Sequence, residues 1–145
     1  MIYLGADHGG YKLKEQLKRF LTKQGLEFKD LGANKFKDGD DYPDYSVKVA
    51  KAVMKNPLSS LGILICRSGQ GVCMVANKFR EVRAALVWNT EQAKVSRNDD
   101  MSNVLCLPAD FITVSEAQKI VKVWLATPYS NDPRHVRRVK KVSSL

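Results

Sequence analysis

The sequence contains no Cys-x-x-Cys pair, and its three cysteines, Cys66, Cys73 and Cys106, are an odd number at irregular spacing. That argues against a disulfide framework and a cysteine-built zinc site, and it predicts reduced thiols in a cytoplasmic protein. No apolar run approaches the ~18 residues of a membrane span. Met1-Ile-Tyr-Leu4 reads directly as a strand, so no signal peptide is expected. Repeats, low-complexity tracts and linkers are also missing, and 145 residues then predict a single domain over residues 1–145. Acidic residues are in short supply: 15 Asp+Glu face 24 Lys+Arg, a net charge of +9. Such an excess suits an anionic small substrate or a nucleic acid. Most lysines are scattered as on a solvated surface, and only Arg134 to Lys141 forms a dense cluster. That cluster lacks the interleaved aromatics of a nucleic-acid groove, so nucleic acid is not the expected partner.

What is present alternates between short apolar runs and amphipathic stretches. Residues 1–6, 26–31, 61–65, 82–87 and 103–107 read as strands. Between and after them, residues 11–24, 45–55, 72–79, 90–98 and a stretch from Thr113 read as helices. Leu13, Leu17, Phe20 and Leu21 share one helical face, and Gly25 stops that helix. Thr113-Val-Ser-Glu116 has capping-box spacing, and the helix that it opens turns Ala117, Ile120, Val121, Trp124 and Leu125 inward. Asp132-Pro133 opens a last basic helix over about 133–142. Strand–helix alternation predicts an α/β fold, a three-layer α/β/α sandwich around a five-stranded parallel sheet of Rossmann-like type. Sites in such sheets lie beyond the carboxyl ends of the strands. That rim should carry Asp7 and His8, Cys66 to Gly71, and Trp88.

The most informative stretch is Leu61 to Phe79. A buried strand ends at Cys66, the turn Arg67-Ser-Gly-Gln-Gly71 follows, and then a helix begins. Unpaired amides and the helix dipole at such a start favour anions and would stabilise a nearby thiolate. Cys66 is therefore a candidate base or nucleophile beside a candidate oxyanion or phosphate cradle. A lone cysteine closing a strand is more often a core residue, and a glycine turn alone is a common junction. The combination is what distinguishes this one.

Several spaced motifs occur in order: Gly5-Ala-Asp-His-Gly9, Asp41-Tyr-Pro43, Ile63-Leu-Ile-Cys66 with Ser68-Gly69 and Gly71, Ala76-Asn-Lys-Phe79, Ser96-Arg97, Asn103-Val-Leu105, and Arg134-His135 with Arg138. With them the chain resembles, nearly end to end, the family of type B ribose-5-phosphate isomerases and galactose-6-phosphate isomerase subunits. The resemblance implies an aldose–ketose isomerase of a phosphorylated sugar, ribose 5-phosphate to ribulose 5-phosphate or a close relative. The reaction would run through a cis-enediolate, with no metal and no organic cofactor. It implies Cys66 as the base, since members with a glutamate base carry it where this chain has Val72. Ser68 matches a position that assists ring opening, and Asp7 and His8 match sugar contacts, with Tyr42 a further pocket candidate. Amides of the turn that holds Arg67, Gly69 and Gly71 would meet the oxyanion. Arg134 and Arg138, one helical turn apart, would grip the phosphate. Asp99 and Asp100 stand where many members have a histidine and an asparagine, which makes Asp99 a candidate acid–base group and Asp100 a substrate contact. Arg67 replaces a usual glycine, and Asp110 a usual arginine. Members are dimers or tetramers with shared sites. Two alternatives stand beside this reading: one subunit of a mixed isomerase pair, and a non-catalytic phosphosugar or nucleic-acid binder.

Overall fold

A computed structural model describes residues 1–145. Five strands, β1 (Ile2–Ala6), β2 (Phe28–Asp30), β3 (Leu61–Cys66), β4 (Ala84–Leu86) and β5 (Val104–Pro108), form one sheet in the order β2-β1-β3-β5-β4. All pairings are parallel. Six helices accompany them: α1 (Tyr11–Lys23), α2 (Tyr42–Lys55), α3 (Gln70–Ala76), α4 (Thr90–Asn98), α5 (Val114–Ala126) and α6 (Pro133–Ser143).

Side chains of a strand alternate between faces, and here that alternation makes two cores. Ile63 and Ile65 of β3 join Leu4 of β1, Leu13, Leu17 and Leu21 of α1, and Ile120 and Trp124 of α5. Leu64 and Cys66 point the other way, towards Val49 and Val53 of α2 and Val72 and Ala76 of α3. The sheet is thus covered on both faces, as the strand–helix alternation predicts. Since α1 and α2 pack on opposite faces, the chain diverges between β1 and β3, which is where such sheets bind ligands.

Element boundaries differ from the sequence reading where local hydrogen bonds compete. The amide of Gly25 donates to Thr22 O and that of Leu26 to Leu21 O, a Schellman cap that takes up Leu26 and delays β2 to Phe28. Helix α2 begins at Tyr42 rather than Tyr45, because Pro43 in a first turn gives up an amide with no intrahelical partner. Helix α3 starts at Gln70, two residues early, and ends at Ala76 rather than Phe79. Asn77 closes it by pairing its side chain with both the amide and the carbonyl of Ala84, each at 2.9 Å. Strand β4 shortens to Ala84–Leu86 from the expected 82–87. The Thr113–Glu116 capping box forms in both directions.

The short edge strand β2 is held by charge. Lys14, fully buried, donates to both oxygens of Asp30 at 2.7 and 2.6 Å and to Ala33 O at 2.7 Å. Lys18 reaches the same carboxylate at 2.8 Å. Burial alone would raise the Asp30 carboxyl, and the two ammonium groups with the Gly32 amide outweigh it, leaving it below its ordinary value. This cluster anchors residues 30–33 beside the end of β1, where the first candidate residues follow.

Candidate active site

Cys66 ends β3 and is buried, and the Gly69 amide donates to its Sγ at 3.2 Å. The turn closes this way because Gly69 adopts φ +71, and a Cβ there would meet Leu86 Cδ1 at 2.5 Å and backbone of β5 at 3.1 Å. Only glycine fits both the conformation and the space. Ser68 Oγ accepts from the Gln70 amide at 3.4 Å, and the amides that follow begin α3 without an intrahelical acceptor. Tyr42, the first residue of α2, lies over this turn, where a Cβ on Gly71 would stand 2.6 Å from its ring. Cys106, on the same face of the sheet, is fully buried, and burial pushes its thiol up.

Strand β1 delivers its loop to the same rim, since Ala6 pairs with Ile65 and Asp7 follows next to Cys66. Gly10 lets this loop lie flat on β3, as a Cβ there would clash with Ile65 O. Asp7 is buried, which raises its carboxyl, while the Gly10 amide, donating at 3.1 Å, pulls the other way. His8 is tied to Asp40, whose Oδ1 accepts from the His8 amide at 2.7 Å and pairs with ring Nδ1 at 2.9 Å. Asp40 Oδ2 accepts from the Tyr45 hydroxyl at 2.8 Å. Asp7, His8 and Asp40 place ligand-type atoms within 4.8 Å of one another. Hydrogen bonds inside the chain already occupy both Asp40 oxygens, Asp7 Oδ1 and His8 Nδ1, so the group is a hydrogen-bonded network. Beside Ser68 a cavity of ≈ 360 Å³ opens, lined by Gln70, Leu86, Trp88, Pro108 and Phe111 as well.

Arg67 and Asp110, which follow the neighbouring strands β3 and β5, approach to 3.6 Å across the rim. The Arg67 carbonyl also accepts from the Asp110 amide at 2.9 Å.

The remaining candidates lie elsewhere. Asp99 and Asp100 sit between α4 and β5, at the amino edge of the sheet. The first turn of α6 comes to the same edge: the Ser130 amide donates to Asn98 O, and His135 Nδ1 lies 3.8 Å from Asp99 Oδ1. Arg134 pairs with Asp132 at 3.0 Å, which holds that exposed carboxyl down at about 2. Arg138 is exposed and has no ion-pair partner within 4.0 Å. A larger concavity, ≈ 680 Å³, lies between residues 77–83 and the end of α6, away from Cys66. Five residues of β5 separate the two edges, about 13 Å at the rise of a strand. One chain therefore carries two clusters, Asp7, His8, Tyr42 and Cys66–Gly71 on one edge and Asp99, Asp100, Arg134 and Arg138 on the other, and it does not bring them together.

Residues 2–142 match the ribose/galactose isomerase family. The chain belongs to this family. A probable ribose-5-phosphate isomerase B of Mycoplasma genitalium is 44% identical over 141 residues, covering 97% of this chain and 92% of that protein. The ribose-5-phosphate isomerase B of Mycolicibacterium paratuberculosis is 37% identical over 138 residues, 95% of this chain and 86% of that protein. Among solved structures, the Mycoplasma genitalium isomerase B with bound ribulose 5-phosphate superposes with a TM-score of 0.96 at 43% identity, covering 99% of this chain and 93% of that one. That of Thermotoga maritima gives 0.94 at 35% identity, covering 99% and 97%. As a ribose/galactose isomerase family member the chain is an enzyme, a sugar-phosphate aldose–ketose isomerase. No helix is long and apolar enough to cross a membrane.

Two parts of the candidate site carry no signal of their pairing in the sequence. Asp40 lies in the polar stretch of residues 32–41, and Tyr45 shortly after it. Their signal is the acidic pair Asp40-Asp41 directly before Tyr42-Pro43, which loop composition alone does not separate from solvated surface. His135 beside Asp99 was read only as part of a motif, and its partner lies 36 residues earlier.

Proposed function

We propose that the chain interconverts ribose 5-phosphate and ribulose 5-phosphate with Cys66 as the base. The observation that carries this is the Gly69 amide, 3.2 Å from a buried Cys66 Sγ at the head of a glycine turn. That bond fixes the sulfur at the rim, beside turn amides that have no intrahelical acceptor. In the open aldose, the thiolate takes the proton from C2, and the electron pair forms the C1–C2 double bond while charge moves onto O1. Amides of the turn after Gly69 meet that charge. The thiol then returns the proton to C1, and the O2 proton passes to O1 as the C2 carbonyl forms. One base serves both carbons because the proton moves over one face of a cis-enediolate.

The phosphate would be held by Arg134 and Arg138 of a second copy of the chain. Two facts support this: the guanidinium groups and Cys66 lie on opposite edges of one sheet, and none of the eleven residues of α6 is fully buried by its own chain. Because both halves are present on one sequence, a second copy completes the site and a paralogous subunit is not required.

Ribulose 5-phosphate gives a direct test, because its O5 is esterified and it cannot close a furanose ring. In deuterated water the enzyme should wash deuterium into its C1, and Cys66→Ala should lose both this exchange and net isomerisation. Persistent exchange in folded Cys66→Ala would assign the base elsewhere.

A further inference from the structure

We infer that Asp40 is a positioning residue: it holds the His8 ring so that Nε2 delivers the proton that opens a cyclic sugar phosphate. The inference rests on the isomerase reading above and adds the step that must precede it. Ribose 5-phosphate is a furanose in solution, and the Cys66 chemistry needs the free aldehyde.

The geometry is specific. Asp40 reaches His8 across 32 residues of sequence and is 4% exposed, with donors on both oxygens. A buried carboxylate is costly unless it is satisfied this way, so the network is a built feature. A carboxylate only accepts, so Nδ1 must carry its hydrogen, and Nε2 is left as the working nitrogen. No hydrogen bond within the chain uses Nε2, and the ring keeps 21% of its surface open at the rim that holds Cys66. The bond from His8 to Asp40 favours the imidazolium most, burial opposes it, and Asp7 adds to it, so the ring stays charged above its ordinary range. The groups around it are Asp7 on its own loop and Asp40 and Tyr45 from before and within α2, and the next residue, Gly9, faces Arg67 at the end of β3. The Tyr45 hydroxyl is pushed up to about 12 by the same carboxylate and remains a donor at every working pH. Asp40 itself would be raised by burial, and the His8 amide, the Tyr45 hydroxyl and the His8 ring hold it low instead.

Ring opening then balances as follows. The C1–O4 bond breaks with its pair going to O4, which takes the Nε2 proton. The O1–H pair becomes the carbonyl π bond, its proton passes to water, and neutral His8 regains a proton from solvent.

The test compares a cyclic with an open substrate in full-length Asp40→Asn. Turnover of ribose 5-phosphate should fall about tenfold or more, towards the unaided rate of ring opening, as general acid catalysis is withdrawn. Deuterium wash-in to ribulose 5-phosphate should stay within about twofold, since that substrate arrives open and the step there belongs to Cys66. The alkaline limb of the ribose 5-phosphate profile should move to lower pH, because the carboxylate no longer raises His8. His8→Gln combined with Asp40→Asn should be no slower on ribose 5-phosphate than His8→Gln alone. Equal losses on both substrates, or no loss on either, would overturn the inference. Retained wash-in by Cys66→Ala would overturn the base reading instead, whatever Asp40→Asn does.

Discussion

Consider a chain carrying Cys66→Ala mixed with a chain carrying Arg138→Ala. On the reading proposed above, each alone lacks one half of every site, whatever the arrangement. Cys66 stands at the carboxyl end of β3 and Arg138 on a helix that begins at the amino edge. If a site draws Cys66 from one copy and Arg138 from its neighbour, a mixed dimer has one site with both groups intact and one with neither. Random exchange at equal amounts makes half of the dimers mixed, so about a quarter of all sites recover. If each chain built its own site, recovery would be nil. The Arg138 lesion is large enough to read, because a charge-assisted bond to phosphate is worth roughly 1.5–3 kcal/mol, about tenfold or more in binding. Two affinity tags isolate the mixed species after refolding, and ribulose formation is followed at substrate levels where the Arg138→Ala homomer turns over slowly. No recovery in verified mixed assemblies would refute the shared site.

Gly69→Ala should lose most activity and destabilise the fold by about 1–2 kcal/mol, because a side chain at φ +71 is strained and its Cβ would press on β5; unchanged turnover would show that the bond to Cys66 Sγ is dispensable. Asp30→Ala should destabilise by about 3 kcal/mol, near the lower end for a broken buried pair, since Glu15 remains 3.5 Å from the stranded Lys14. Thermal melting should then fall by about 6–12 °C at this chain length, and a drop of only a degree or two would mean that Lys14 finds water. Asp30 sits below its ordinary value, so its share of stability should be complete above about pH 4 and be lost as pH falls through its lowered pKa in the folded chain. A wild-type acid transition no steeper than that of Asp30→Ala would contradict this.

Much of the fold was legible because its signals are local. The faces of α1 and α5, the Gly25 stop and the Thr113 capping box are spacings within one or two turns. The strand–turn–helix around Cys66 was legible for the same reason, though the start of α3 was not, because a left-handed Gly69 is indistinguishable in sequence from any other turn glycine. Pairings between distant segments were hidden. Arg67 and Asp110 meet only because β3 and β5 are neighbours, and the strand order was not available from the chain. His8 and Asp40 meet through a loop with no periodicity to read. The segregation of candidates to two edges follows from element order alone: residues after strands go to one edge and residues before strands to the other.

Three of the positions where this chain departs from its family's usual residues, Arg67, Asp99 and Asp110, have a charged or imidazole neighbour within 4.0 Å. Arg67 and Asp110 stand where the resemblance implies a glycine and an arginine, and they neutralise each other at 3.6 Å. The turn beside Cys66 thus gains a cation without gaining net charge. Asp99 stands where an imidazole is usual, and the His135 imidazole lies 3.8 Å from it. On the opposite edge Asp40 holds a second imidazole beside Cys66. The anionic substrate therefore need not face an unpaired Asp110 at the Cys66 edge. If that compensation is what tolerates the changes, replacing Asp110 alone should unbalance the rim: Asp110→Asn frees Arg67 to reach the substrate and should tighten binding of a phosphorylated sugar more than of its unphosphorylated counterpart. Equal effects on the two sugars, or none, would mean that Arg67 serves packing over Gly9, where a Cβ would stand 2.5 Å from Arg67 Cγ, and not the charge of the site.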